Sequence, residues 1–181
     1  VKADDQVVVL GQGVVGSLMM QLLRGRQVKQ IITVDTLPLR CQLSQQLGAD
    51  EVINASEVDP VEMVKQLTGD RGADLVIDCV GGYAGIKSFE QAQDMVADKG
   101  TIQLIALYQQ QALPLYSAKI MQKRLVAGIL TDEPPMKTTL RAMKSIEKGI
   151  IQVSKMITHQ FPYTKAKEAF DFLWYTPESG L

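Results

Sequence analysis

Cysteine and histidine are nearly absent from this chain of 181 residues, which has two cysteines, Cys41 and Cys79, and one histidine, His159. Two thiols cannot build a four-thiolate zinc centre. One falls in an expected helix and the other ends an expected strand, which does not resemble a disulfide framework. A single histidine removes most metal and triad chemistry and is expected as a buried or half-buried structural residue. An excess of charge of one sign is also missing. With 19 basic and 20 acidic residues the net charge is −1, so no general attraction to nucleic acid or an anionic membrane is expected. No apolar run approaches the ~18 residues of a membrane span, because "VVVLGQGVVGSLMM" gives way to Gln21 and Arg24. No charged segment leads into a signal peptide, so a cytoplasmic location is expected. Hydrophobic residues at 46% and charged residues at 22% are ordinary for a globular protein, and the length suits one domain over residues 1–181.

What the chain does have is alternation. Residues 7–10 are continuously apolar and read as a buried strand. Over residues 14–24, Val15, Leu18, Met19, Leu22 and Leu23 recur at helical spacing. A strand at 31–34 ends in Asp35. Pro38 then opens a helix with a row of Leu39, Leu43 and Leu47, closed by Gly48. A strand at 51–54 is followed by a helix that begins at Asp59-Pro60 and turns Val61, Val64 and Leu67 inward. A strand at 75–78, a helix at 86–96 and a strand at 101–107 continue the series. Beyond an irregular stretch, a short helix is expected at 117–122 and a strand at 125–130. A helix at 136–148, with Leu140, Met143 and Ile146 inward, a strand at 153–159 and a helix at 165–174 complete the chain. Strands alternating with helices imply βαβ units, and right-handed crossovers make the α/β fold a doubly wound parallel sheet.

The first strand and helix are joined by Gly11, Gly13 and Gly16. A tight turn would explain one glycine; the G-x-G-x-x-G spacing between a buried strand and a helix points to a pyrophosphate cradle. Gly11 permits the turn, Gly13 lets a phosphate approach the backbone, and Gly16 lets the helix approach the sheet. The N–H groups of Val14 and Val15 would face the pyrophosphate at the positive end of the helix dipole. Asp35, nineteen residues beyond Gly16, can accept hydrogen bonds from the adenosine ribose hydroxyls and would repel a 2′-phosphate. That favours NAD over NADP. Arg40, five residues further, is a guanidinium that either bridges to the ribose or accommodates that phosphate.

The blocks "VVVLGQGVVGSLMMQLL", "IITVD", "LGADEVIN", "GADLVIDCVGG", "KGTIQLIAL" and "ITHQFPYTKAKEAFDFL" resemble the cofactor domain of the medium-chain dehydrogenases and reductases. The zinc-dependent alcohol, polyol and threonine dehydrogenase branch is nearest. The resemblance runs from about Asp5 to Leu173 and implies a Rossmann fold. It implies that Asp35 and Arg40 flank the adenosine ribose and that Val80 and Gly81 lie beside the adenosine half. Ile105 would approach the nicotinamide, with Ile129 on the same side and Thr131 a weaker match. Read without the resemblance, Ile105 and Ile129 are simply sheet core. It also implies that catalytic zinc and the proton relay belong to an N-terminal GroES-like domain, for which no matching segment precedes Val1. The chain is thus expected to be a domain cut at both borders and inactive alone, with an alcohol or polyol as the full enzyme's substrate. Pairing of two copies through the sheet edge near 125–130 is a further implication.

Other readings are a zinc-free quinone or enoyl reductase using NADPH, an S-adenosylmethionine methyltransferase, and a non-catalytic nucleotide-binding or dimerisation module. Asp35 counts against the first, and Gly16 inside the helix against the second. Tyr83, Tyr108, Tyr116 and Tyr163 lack the Tyr-x-x-x-Lys pattern of short-chain dehydrogenases and read as surface or packing residues.

Overall fold

Strands β1 (Gln6–Leu10), β2 (Gln30–Asp35) and β4 (Ala73–Asp78) are almost uninterrupted in Val, Ile and Leu, as strands covered on both faces require. In the computed structural model, which describes residues 1–108, 112–128 and 133–176, they form the centre of a parallel sheet. With β3 (Glu51–Asn54), β5 (Val96–Leu104) and β6 (Arg124–Ala127) the order is β3-β2-β1-β4-β5-β6. The pairing register sets Leu10 beside Val34 and Asp78, and Asp78 beside Leu104. The carboxyl ends of the central strands therefore share one edge.

Helices cover both faces, as the side-chain alternation of the strands dictates. Val7, Val9, Ile31 and Ile77 pack with Met20 and Leu23 of α1 (Val14–Gly25) and Leu43 of α2 (Pro38–Gln46). Val8, Ile32, Val76 and Ile102 pack on the other face with Val64 of α3 (Pro60–Leu67) and Phe89 of α4 (Ala84–Met95). Local chemistry ends the helices as expected. Asp59 caps α3 by accepting from the Val61 and Glu62 N–H groups, at 2.8 and 3.2 Å. Gly48, at φ +101°, closes α2 with paired bonds from Gly48 to the Gln45 carbonyl and from Ala49 to the Ser44 carbonyl.

Several expectations need correction. In α1 the buried face is Gly16, Ser17, Met20, Gln21 and Leu23, whereas Val15 and Leu22 are exposed. The helix approaches the sheet on its small residues, and Gln21 is satisfied inside by the Ser17 carbonyl and the Gln152 N–H. Strand β5 begins at Val96, directly after α4, and ends at Leu104 rather than Leu107. An irregular register between Ala73 and Leu75 absorbs an exposed excursion that includes Lys99 at φ +64°. Its end is set by Asp78, whose carbonyl draws in the N–H groups of Ile105 and Ala106.

Beyond the short helix α5 (Ser117–Ile120) and β6, the expected strand at 153–159 is replaced. Residues Val153–Met156 form a helical turn, α7, and Ile157 to His159 have no regular structure. Met156 is drawn into the core beside Gln21, which takes the segment away from a sheet edge. In α6 (Pro135–Glu147), Leu140, Met143 and Ile146 are exposed rather than inward. His159 is exposed too, with its ring 4.5 Å from that of Phe172 in α8 (Ala166–Tyr175). The far end of the strand expected at 125–130 lies outside the described residues. Among the described residues, no helix is long and apolar enough to cross a membrane.

Phe89 is a large, fully buried side chain beneath the sheet. Phe89→Ala is expected to cost about 3–5 kcal/mol, read as a lower urea midpoint at unchanged slope.

Candidate functional site

The chain leaves β1 through Gly11 at φ +80°, in the left-handed region, with its N–H on the Val34 carbonyl at 2.8 Å. A Cβ on Gly11 would sit 2.8 Å from Val80 Cγ2, and one on Gly16 would sit 1.7 Å from the Gly11 carbonyl oxygen. Helix α1 is thus pressed against the turn at a distance only glycine permits. Gly13 takes the N-cap position with no side-chain cap, and Val14 and Val15 stand exposed beyond it. The first N–H groups of the helix are left for something outside the chain.

Gln12 ties this turn to its surroundings. Its side chain is fully buried, donates to the Val9 carbonyl at 3.0 Å and accepts from Ser44 Oγ of α2 at 3.1 Å. Its N–H donates to Asp35 Oδ2 at 2.6 Å, while the Leu37 N–H donates to Asp35 Oδ1 at 2.9 Å. Arg40 Nη1 is 3.9 Å from the same carboxylate, whose side chain is only 6% exposed. Arg40 Nε is buried without a partner among the described residues.

A cleft of about 440 Å³ opens at the carboxyl edge of the sheet. The glycine turn, Asp35, Arg40, Val80 and Gly81 line it, so six of the residues singled out from sequence (Gly11, Gly13, Asp35, Arg40, Val80, Gly81) come together. Val14, Val15 and Gly16 stand at the helix start beside it. Ile105 lies half-buried just past β5, outside the lining. Ile129 and Thr131 lie outside the described residues. Sequence reasoning missed Thr36, Ala55 and the α4 residues Ala84, Lys87, Ser88 and Gln91, which complete the walls. The signal for the last four was the repeat of a strand, a glycine turn and a helix after Asp78.

The residues fit a dinucleotide: a glycine cradle that a Cβ would fill, uncapped helix N–H groups, and a rigid acid beside them. A model of the zinc-binding dehydrogenase family matches residues 14–145. The chain belongs to that family. Within it, the chain corresponds to the cofactor-binding domain of medium-chain dehydrogenases. It is 27% identical over 171 residues to an L-threonine 3-dehydrogenase of Bacillus licheniformis, covering 94% of this chain and 49% of that one. It is 29% identical over 175 residues to an uncharacterized zinc-type alcohol dehydrogenase-like protein of Escherichia coli, covering 94% and 47%. The crystal structure of an Escherichia coli oxidoreductase/dehydrogenase of unknown specificity superposes with a TM-score of 0.87 at 27% identity, over 99% of this chain and 50% of that one. The chain thus spans about half the length of the relatives it matches. For zinc, the described residues of this family member hold no group of three or more His, Cys, Asp or Glu side chains placed to bind a metal ion. These residues by themselves do not fit that ion.

Two acidic groups stand at the end of β4, Asp78 outside the cleft's lining and Cys79 within it. Asp78 is fully buried, and burial pushes its carboxyl above the ordinary range despite bonds from Val80, Ser88 and Tyr108. Cys79 beside it is pushed up to about 12, by burial first and by the Asp78 charge second. It is a neutral thiol and not a nucleophile.

Gly16→Ala is expected to destabilise by about 1–3 kcal/mol, read in urea, because helix and turn must separate. Asp78 titrates with a defined sign. The folded chain keeps this proton to higher pH than the unfolded chain, so its contribution falls as pH rises from the ordinary carboxylate range through the raised value. In Asp78→Asn that fall disappears. The variant's denaturation midpoint should move in its favour, relative to the parent, as pH rises above the ordinary carboxylate range of about pH 4.

Proposed function

We propose that this domain binds NAD and presents it for hydride transfer to or from an alcohol or polyol, the substrate being held by the rest of a two-part enzyme. The observation that carries the reading is the Asp35 carboxylate, held by the Gln12 and Leu37 N–H groups at the rim of the glycine turn. An acid fixed there accepts from ribose hydroxyls and repels a 2′-phosphate, which favours NAD over NADP. Bound NAD supplies the hydride-accepting ring; the chain's own residues bind and orient it. The α1 N-terminus and the Gly13 backbone receive the pyrophosphate, and Arg40, with its free Nε, closes over the ribose. In this reading the second nucleotide half lies over the ends of β4 and β5, where Ile105 stands. By itself the domain binds cofactor without turnover. A cytoplasmic location and pairing of copies along the β6 edge, where Leu125 is exposed, belong to the same proposal; light scattering that finds only monomer counts against the pairing.

Calorimetric titration with NAD, NADP and S-adenosylmethionine tests the reading. NAD should bind best, and Asp35→Ser should shift the NAD-to-NADP preference toward NADP by roughly tenfold or more, the repulsion being removed. Binding of another of these ligands with no measurable binding of NAD would overturn it.

A further inference from the structure

Among the described residues Asp78 is the one charged side chain with no exposed surface. A buried carboxylate is costly unless hydrogen bonds hold it, and this one is held by three segments of the chain. Its Oδ1 accepts from the Val80 N–H at 3.0 Å, in the turn after β4, and from Ser88 Oγ at 2.8 Å, in α4. Its Oδ2 accepts from the Tyr108 hydroxyl at 2.9 Å, in the stretch after β5. The backbone repeats the link. The Asp78 carbonyl accepts from Ile105 and Ala106, at 3.0 and 3.3 Å, and the Gly82 N–H donates to the Leu107 carbonyl at 3.1 Å.

Tyr108 makes the junction specific. Its ring lies so close to α4 that a Cβ on Gly85 would be 2.7 Å from it. Packing alone would have been met by phenylalanine, yet here a phenol reaches a buried acid, and Asp78 and Tyr108 themselves do not line the cleft. What they join does matter to it. Val80, Gly81 and Ser88 form part of its wall, and the stretch from Ile105 to Tyr108 leaves the sheet at the same edge. In a sheet of this order the second mononucleotide lies over the ends of β4 and β5.

We propose that Asp78 and Tyr108 are positioning residues for the nicotinamide ring of the dinucleotide. Their bond ties the stretch at 105–108, over which the ring would lie, to the turn at residues 80–82 beside the adenosine half, so that the ring meets a bed whose place relative to the rest of the ligand is already fixed. This rests on the NAD reading above.

The test separates the nicotinamide ring from the rest of the ligand. The protein is titrated with NADH and with ADP-ribose, which lacks only that ring. In Tyr108→Phe, which keeps the ring against Gly85, NADH binding should weaken about tenfold, as for a lost bond to a charged group, with ADP-ribose within about twofold. Asp78→Asn should give the same split, and the two substitutions together should cost no more than either alone. Equal weakening of both ligands, or an unchanged NADH-to-ADP-ribose ratio in a variant that merely melts lower, overturns the proposal. If only one variant folds, its split decides. Failure of the parent to bind either ligand would refute the NAD reading instead, before any substitution is compared.

Discussion

The site depends on the contact between Gly16 and the Gly11 carbonyl. A Cβ there would fall 1.7 Å from backbone oxygen, and backbone cannot yield as a flexible side chain can. Because α1 is pressed so close, its uncapped first turn opens directly onto the end of β1, and Ser17 can reach the Gln12 carbonyl to lock the turn. The Gln12 N–H then points at Asp35, and the Gln12 side chain meets Ser44 of α2. Cradle, acid and the helix that carries Arg40 are thus one hydrogen-bonded unit. The acid is fixed by the same turn that would hold the phosphates, so its distance from the cradle is not free to vary.

How far the sequence disclosed this depends on the kind of residue. The central strands were legible because a strand covered on both faces has one signature, a continuous Val and Ile run, and β1, β2 and β4 have it. The glycine turn and Asp35 were legible because few other reasons demand that spacing. The face of α1 was not. Its apolar residues lie on a row including Val15 and Leu22 that the close approach leaves outside, while Gly16, Ser17 and Gln21 go in. Binary patterning assumes that a helix packs through large apolar side chains, and that assumption fails where a helix must come within backbone contact.

Tyr108 and Asp78 were invisible for a related reason. A tyrosine in an irregular polar stretch carries no periodic signal, and an acid ending a strand without the glycine spacing that singles out Asp35 carries no sign of burial. Only the register, which sets Asp78 beside both Leu10 and Leu104, reveals that it lies beneath the centre of the edge. The same holds for Gln93, which is fully buried and holds the Pro114 carbonyl and the Tyr116 N–H. Polar residues buried to anchor loops cannot be told from surface ones by composition. Long-range geometry distinguishes them.

The exposed rows in the last third of the chain follow the same logic in reverse. Leu140, Met143 and Ile146 of α6, and Phe170, Leu173 and Trp174 of α8, have the spacing of buried faces and are exposed. Strand β6 is likewise the least buried of the six, whereas β1 is buried throughout. Burial is therefore concentrated on β1, β2 and β4 and thins towards the chain's end. The glycine turn, Asp35 and Asp78 all stand at the ends of the well-buried strands. A dinucleotide seated there is held by the part of the sheet with the most contacts to lose on opening. The stretch at 105–108 rests on the Asp78 junction instead. In the proposed reading the first nucleotide half meets a turn fixed by backbone contact and the Gln12 bonds, and the nicotinamide ring meets a stretch fixed through one buried acid, which is why the loss of one hydroxyl would separate the two.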